Sequence, residues 1–144
     1  VRPGEAAVVA PTPWGGLGLT VCYDLRFPQL FRALAQAGAN LISVPAAFTR
    51  PTGEAHWETL LRARAIETGA FILAPAQGGS HEDGRATWGR TLVVDPWGAV
   101  VAALDHDEPG VLFAQLDLSA VTRARAAIPA LKHDRAFAPP EAIR

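Results

Sequence analysis

The spacing of apolar residues changes period several times along the chain, and each change marks an element. Residues 17–21, Leu-Gly-Leu-Thr-Val, form a short, partly β-branched apolar run that reads as a buried strand. Phe27, Leu30, Phe31 and Leu34 then recur at i, i+3, i+4 and i+7, the stripe of an amphipathic helix. Pro28 suits its first turn and Gly38 its C-terminal stop. Upstream, residues 6–10 form another apolar run with Val8 and Val9. Thr12-Pro13-Trp14-Gly15-Gly16 is turn chemistry, so this run and 17–21 are expected to pair as a hairpin.

Downstream, a second buried strand is expected at 41–44, stopped by Pro45. A loop follows at 46–54, then a helix over about 55–68 with Trp57, Leu60, Leu61 and Ala65 inward and Gly69 as its stop. Glu58 and Arg62 are an i, i+4 pair on that helix. A third strand covers 70–74, and residues 78–85 read as a polar, glycine-rich loop. Strands at 91–94 and 100–104 flank the turn Asp95-Pro96-Trp97-Gly98, and another strand is expected at 111–116. Ser119 can cap a last helix that Pro129 ends. The order is that of an α/β sheet protein with helices on a face, and loops such as 46–54 line the ligand crevice in such arrangements. The core domain spans residues 1–132, and 133–144, with Pro139-Pro140, form an irregular tail free to wrap a partner.

Composition narrows the setting. The chain has 144 residues, 49% of them apolar, and a formal net charge of −1, which argues against nucleic-acid or membrane partners. Its single cysteine cannot close an internal disulfide, so a reducing cytoplasm is the natural compartment. No apolar run approaches the roughly 18 residues of a membrane span, and no signal peptide is visible. Residue 1 is Val and there is no Met, so the chain reads as the C-terminal part of something longer.

The lone cysteine, Cys22, falls where strand gives way to helix. A thiol attacks as thiolate, a form that a helix N-terminus or a nearby cation favours, and Arg26 lies four residues on. The backbone N–H groups just after Cys22 are placed to stabilise an oxyanion. The alternative is that Cys22 is a small buried hydrophobe, as most lone cysteines are.

Cys22-Tyr23-Asp24-Leu25-Arg26-Phe27-Pro28, after Gly-Leu-Thr-Val, resembles the nucleophile segment of the carbon–nitrogen hydrolase (nitrilase) superfamily. Further similar segments follow in order: Val44-Pro45-Ala46-Ala47-Phe48-Thr49 with Thr52-Gly53, Ala55-His56-Trp57-Glu58, Arg62 to Glu67, and Val93-Val94-Asp95-Pro96-Trp97-Gly98. The resemblance is to the amidase branch that includes deaminated-glutathione amidase and ω-amidase. It implies a four-layer α-β-β-α sandwich whose N-terminal half is absent here, leaving one sheet face without its partner. It also implies a thiol amidohydrolase needing no cofactor, with Cys22 as nucleophile and the Tyr23 backbone N–H as oxyanion donor. A dimer or larger homo-oligomer is implied as well.

In that family a Glu and a Lys upstream of the cysteine act as base and cation. Upstream of Cys22 the sequence has only Glu5 and no lysine, and its sole lysine is Lys132. The chain alone is therefore expected to be inactive. For the acyl pocket the resemblance points to Arg26, Phe48 and Thr52. An ω-amide carries a carboxylate, which an arginine binds bidentately and a hydroxyl helps orient. The structural alternatives are a salt bridge from Arg26 to Asp24 or another acid, core packing for Phe48, and turn chemistry with Gly53 for Thr52. His56, His81, His106 and His133 show no metal-ligand spacing, so no metal is expected. Glu58 and Glu67 read as partners of Arg62 and Arg64. Thr87-Trp88-Gly89-Arg90 stands where many relatives have aromatic-glycine-histidine, which leaves substrate choice open. Competing functions are a carbamoyl-amide hydrolase or nitrilase of the same superfamily, and a truncated or split subunit with only a packing role.

Overall fold

The computed structural model describes residues 4–143. Strands β1 (Val8–Thr12) and β2 (Gly15–Leu19) form the expected antiparallel hairpin. A single 3-10 turn (Cys22–Arg26) leads into α1 (Pro28–Gln36), with Pro28 in its first turn. Next come β3 (Ala39–Ser43), α2 (Arg50–Thr68) and β4 (Phe71–Ala74). Gly69 ends α2 in the left-handed conformation, φ 57°, the C-terminal stop its position suggests. A short ribbon of β5 (Gly78–Ser80) and β6 (Ala86–Trp88) precedes β7 (Leu92–Val94), β8 (Val100–Ala103) and α3 (Ser119–Ala127).

Six strands make one sheet in the order β1-β2-β3-β4-β7-β8, and β5 pairs only with β6. The three central strands β2, β3 and β4 are parallel, and the outer pairings are antiparallel. Side chains alternate across such a sheet, which sorts the apolar residues onto two faces. Ile42, Val44, Ile72, Ala74, Leu92 and Val94 join Phe31 and Leu34 of α1 and Trp57 and Leu61 of α2 in one buried core. On the opposite face Leu41 and Phe71 meet Val121 of α3, but the cover stops there. The cross-strand pair Val8 and Leu19 remains about half exposed. That face is the one expected to lack its partner layer.

Arg125 fastens α3 in place. Its guanidinium donates to the Ala39 and Thr68 carbonyls, at 2.6 and 3.0 Å, and to Asn40 Oδ1. The tail is tied by Asp134, which accepts from Arg32 and Gln36 of α1. From His133 to Ile143 no regular element forms.

Four expectations need correction. The helix placed at 55–68 begins at Arg50, because Pro51 pre-sets the first turn and shortens the 46–54 loop. Gly53 inside that turn allows Trp88 of β6 to pack directly on the helix, since a Cβ there would stand 2.2 Å from the Trp88 Cβ. Residues 78–85 are a hairpin rather than a loop, Gly78–Ser80 pairing with Ala86–Trp88 despite the low strand propensity of Gly-Gly-Ser. No strand forms at 111–116: Val111 and Phe113 are exposed, and no partner strand lies beside them among the described residues. Ser119 is the first residue of α3 rather than its cap, and the Asp117 carboxylate accepts from the Ser119 N–H and hydroxyl instead.

Asp117 supplies a testable consequence. The Ser119 hydroxyl and the Arg123 guanidinium hold its carboxyl down to about 2, against an ordinary 3.8. A folded value below the unfolded one stabilises the fold above about pH 4, and that contribution is lost as pH falls toward 2. Asp117→Asn is expected to lower the melting temperature at neutral pH and to match the parent below about pH 2. Circular-dichroism melts across that range would show it, whereas an equal deficit at every pH would exclude an ionised-carboxylate origin.

Candidate active site

The site begins with a backbone constraint. Cys22 has φ 45°, a left-handed conformation that few non-glycine residues adopt. Its N–H donates to the Pro45 carbonyl at 2.9 Å, tying it to the end of β3. One residue earlier, the Val21 N–H donates to Asp24 Oδ2 at 2.8 Å, which closes the turn from the other side. The next anchor comes from α2. Buried Arg64 donates through Nε and Nη2 to the Leu25 carbonyl, at 3.1 and 2.9 Å, and pairs through Nη1 with Glu67. Leu25 itself is fully buried.

These anchors set a half-buried thiol at the floor of an open cleft of about 840 Å³. The cleft lies where β2, β3 and β4 end: Val21 and Cys22, Pro45 to Ala47, and Pro75 to Gly78 all line it. Loops at the C-terminal ends of parallel strands are the usual place for a ligand crevice. His81, Thr91 and the loop of residues 106–110 complete the lining. Thr91 Oγ1 accepts from the Ala76 N–H at 3.0 Å, and His81 Nε2 lies 2.7 Å from Thr87 Oγ1, so both hold the wall in shape. Tyr23 stands in the first residues of the 3-10 turn, where N–H groups have no acceptor earlier in the same helix. Its ring is exposed and packs edge-on to Phe27.

Arg26, Phe48 and Thr52 lie outside the cleft lining. Arg26 makes no salt bridge with Asp24. Its guanidinium carbon lies 5.1 Å from the Phe48 ring centre and 5.5 Å from that of Tyr23, and Nη1 is 3.3 Å from His56 Nδ1. Phe48 is buried and tilted against Trp57, so it belongs to the core and also forms the platform under Arg26. The Thr52 hydroxyl lies 3.0 Å from that of Thr49 and donates to the Thr49 carbonyl, which makes it part of the start of α2. The expected ion pairs Arg62–Glu58 and Arg64–Glu67 are both present.

Arg64, the contact of His56 with Arg26 and the 105–110 loop escaped the sequence reading as site elements. Each acts across a separation of dozens of residues, and no local spacing marks such a contact. Among the described residues no group of three or more His, Cys, Asp or Glu is placed to hold a metal. No helix among them is long and apolar enough to cross a membrane.

Comparison with known proteins places this geometry. The profile of the family described as Carbon-nitrogen hydrolase matches residues 1–126. A deaminated glutathione amidase of Yersinia enterocolitica is 53% identical over 93% of this chain and 46% of its own length. The crystal structure of the C. elegans NitFhit protein superposes with a TM-score of 0.88 at 47% identity, covering 93% of this chain and 32% of that one. An E41L mutant of the amidase from Nesterenkonia sp. AN1, with the acetamide moiety of fluoroacetamide covalently added at its active-site cysteine, gives 0.72 at 34% identity over 88% and 47%. The chain thus spans under half the length of each of these relatives. Since the family profile covers most of the chain and the nematode protein shares its fold, the chain belongs to the carbon–nitrogen hydrolase (nitrilase) superfamily, on its amidase branch.

Proposed function

We propose that this chain carries the nucleophile half of a thiol amidohydrolase that cleaves small linear amides through a thioester on Cys22. The observation that carries the reading is the strained backbone of the lone cysteine, held at the floor of a cleft at the ends of three parallel strands. Non-glycine residues in sparsely populated conformations persist only where surrounding structure over-determines them, and they cluster at functional sites. The cysteine adduct in the Nesterenkonia amidase supports the same chemistry by analogy.

In this reading the Cys22 sulfur attacks the amide carbonyl carbon, and the negative charge that develops on oxygen meets the Tyr23 N–H. The carbon–nitrogen bond then breaks, and nitrogen leaves with a proton as ammonia or an amine. Water attacks the thioester, returning the thiol and releasing the carboxylic acid. The proton transfers require a base, and the chain has no lysine before Cys22 to serve as the family's cation. The base and the cation are therefore assigned to sequence upstream of this chain, and the chain alone is taken to be inactive. No cofactor enters the scheme. The setting that fits is a reducing cytoplasm and a dimer or larger homo-oligomer.

Arg26 is assigned to the carboxylate of an ω-amide. Every other described arginine has a carboxylate or backbone carbonyl among its hydrogen-bond partners, whereas that of Arg26 is the His56 imidazole. It stands beyond the cleft lining, so it suits the distal acid of the substrate rather than the amide, with Phe48 as platform and Thr52 at the edge of the same subsite. A second reading, a subunit that only packs against partners, draws support from the exposed Val8–Leu19 sheet face.

Ammonia release from a panel of ω-amides separates these readings. Activity is expected from the polypeptide extended upstream in its own reading frame and not from the 144-residue chain. Cys22→Ala in the extended form is expected to abolish turnover while leaving the fold intact; substantial residual turnover would rule out Cys22 as nucleophile. Silence in both forms, with strong self-association, would favour the packing subunit.

Two further outcomes follow from the same geometry. Arg26→Gln is expected to raise KM about tenfold, the scale of a lost charge-assisted contact, for amides bearing a carboxylate and to spare amides without one. Equal effects on both classes would detach Arg26 from substrate charge. Cys22→Gly is expected to be more stable than Cys22→Ala by about 1 kcal/mol in denaturant melts, because glycine removes the left-handed strain. A glycine variant no more stable than the alanine one would mean that position 22 carries no strain.

A further inference from the structure

Besides the strand ends, the cleft around Cys22 is walled by His106, Asp107, Glu108, Pro109 and Gly110. These residues belong to no helix or strand, yet they are seated closely. Asp107 pairs with Arg50, the first residue of α2, at 2.6 Å, and Asp105 pairs with Arg90. The stronger constraint is steric. Gly78 of β5 does not adopt a positive φ, so its backbone conformation does not call for glycine. A Cβ on Gly78 would stand 2.5 Å from the Asp107 Cβ and 2.7 Å from its Cα and carbonyl oxygen. A Cβ on Gly89 would lie 3.1 Å from the same Asp107 Cα. Glycine at position 78 is explained by the approach of this loop, a use of glycine distinct from turn formation.

We propose that the 105–110 loop is the specificity wall of the Cys22 cleft. It limits the bulk of the groups that can approach the thiol, and its place is set by the seat at Gly78 and Gly89 together with the Arg50–Asp107 pair. An exposed ion pair is worth about 1 kcal/mol at most, so the pair orients the loop while the seat holds it. Arg50 and Gly78 are positioning residues that touch no reacting atom. For catalysis the wall bears on the group that an amide carries beside its carbonyl. That last step rests on the amidase reading, whereas the wall itself is a statement about access to the sulfur.

Because Cys22 is the only cysteine in the chain, neutral maleimides report on this cleft alone. Second-order labelling rates with N-methylmaleimide and N-phenylmaleimide would be compared in the parent chain and in Arg50→Ala, Arg50→Lys and Gly78→Ala. The expected result is a rise in the phenyl-to-methyl rate ratio of about threefold or more in Arg50→Ala and Gly78→Ala, with Arg50→Lys near the parent. An unchanged ratio in both altered chains, folded by circular dichroism, overturns the wall. Should Gly78→Ala fail to fold, Arg50→Ala and Asp107→Asn carry the comparison on the same terms. Ammonia release by the upstream-extended polypeptide, read in parallel, separates the two readings. A shifted maleimide ratio without turnover supports the wall and counts against the amidase. Turnover with an unmoved ratio does the reverse.

Discussion

The backbone turn at Cys22 is the constraint on which the rest of the site depends. A left-handed non-glycine residue costs about 1–2 kcal/mol, and here that cost is offset by contacts from three different parts of the fold. The Pro45 carbonyl reaches it from the end of β3, Asp24 closes the turn locally, and Arg64 of α2 holds the Leu25 carbonyl. The Pro45 and Arg64 contacts form only when the parallel strands and α2 are already in register. Burying Arg64 would itself be unfavourable without acceptors, and the Leu25 carbonyl and Glu67 supply them. The turn and the helix therefore stabilise one another, and the thiol is aimed by the whole helix-covered half of the sheet.

Close approach is the second theme, and glycine is its instrument. Gly53 admits Trp88 against α2, and Gly78 with Gly89 admits Asp107 against the β5–β6 ribbon. At Gly53 and Gly78 the backbone has no left-handed conformation to excuse the glycine. The helix tolerates Gly53, at about 1 kcal/mol relative to alanine, because Trp88 fills the space a side chain would take. The ribbon and the 105–110 loop thereby become extensions of the packed core and can form one side of a cleft without secondary structure of their own.

Much of the fold was legible because it is written in local periodicity. The Phe27–Leu34 stripe, the β1–β2 hairpin and the left-handed stop at Gly69 depend on residues a few positions apart. Two of the corrections lie where a distant residue decides the outcome, while the earlier start of α2 at Pro51 and the Asp117 contact with Ser119 are local. Gly-Gly-Ser becomes a strand because Ala86–Trp88 is there to pair with it, and Val111 and Phe113 alternate like a strand but have no partner strand among the described residues. The site divides the same way. Cys22 could be singled out from its place between strand and helix, and its motif tied it to a family. The partners that hold it, Arg64 and Pro45, could not be read from spacing, and neither could His56, which meets Arg26 across thirty positions.

The distribution of positive charge gives the last argument. Carboxylates or backbone carbonyls occupy every described arginine except Arg26, and such pairing leaves little positive field for a ligand. Arg26 is instead held by two aromatic faces and an imidazole. Ring faces attract a guanidinium through their quadrupole and fix its plane without cancelling its charge. A carboxylate partner would hold the group as well, but an incoming anion would then have to displace it. Aromatic support keeps the fork oriented without a carboxylate partner, four residues from the one thiol in the chain. In the proposed ω-amide reading, that arrangement is the one an acid at the far end of a short amide would meet.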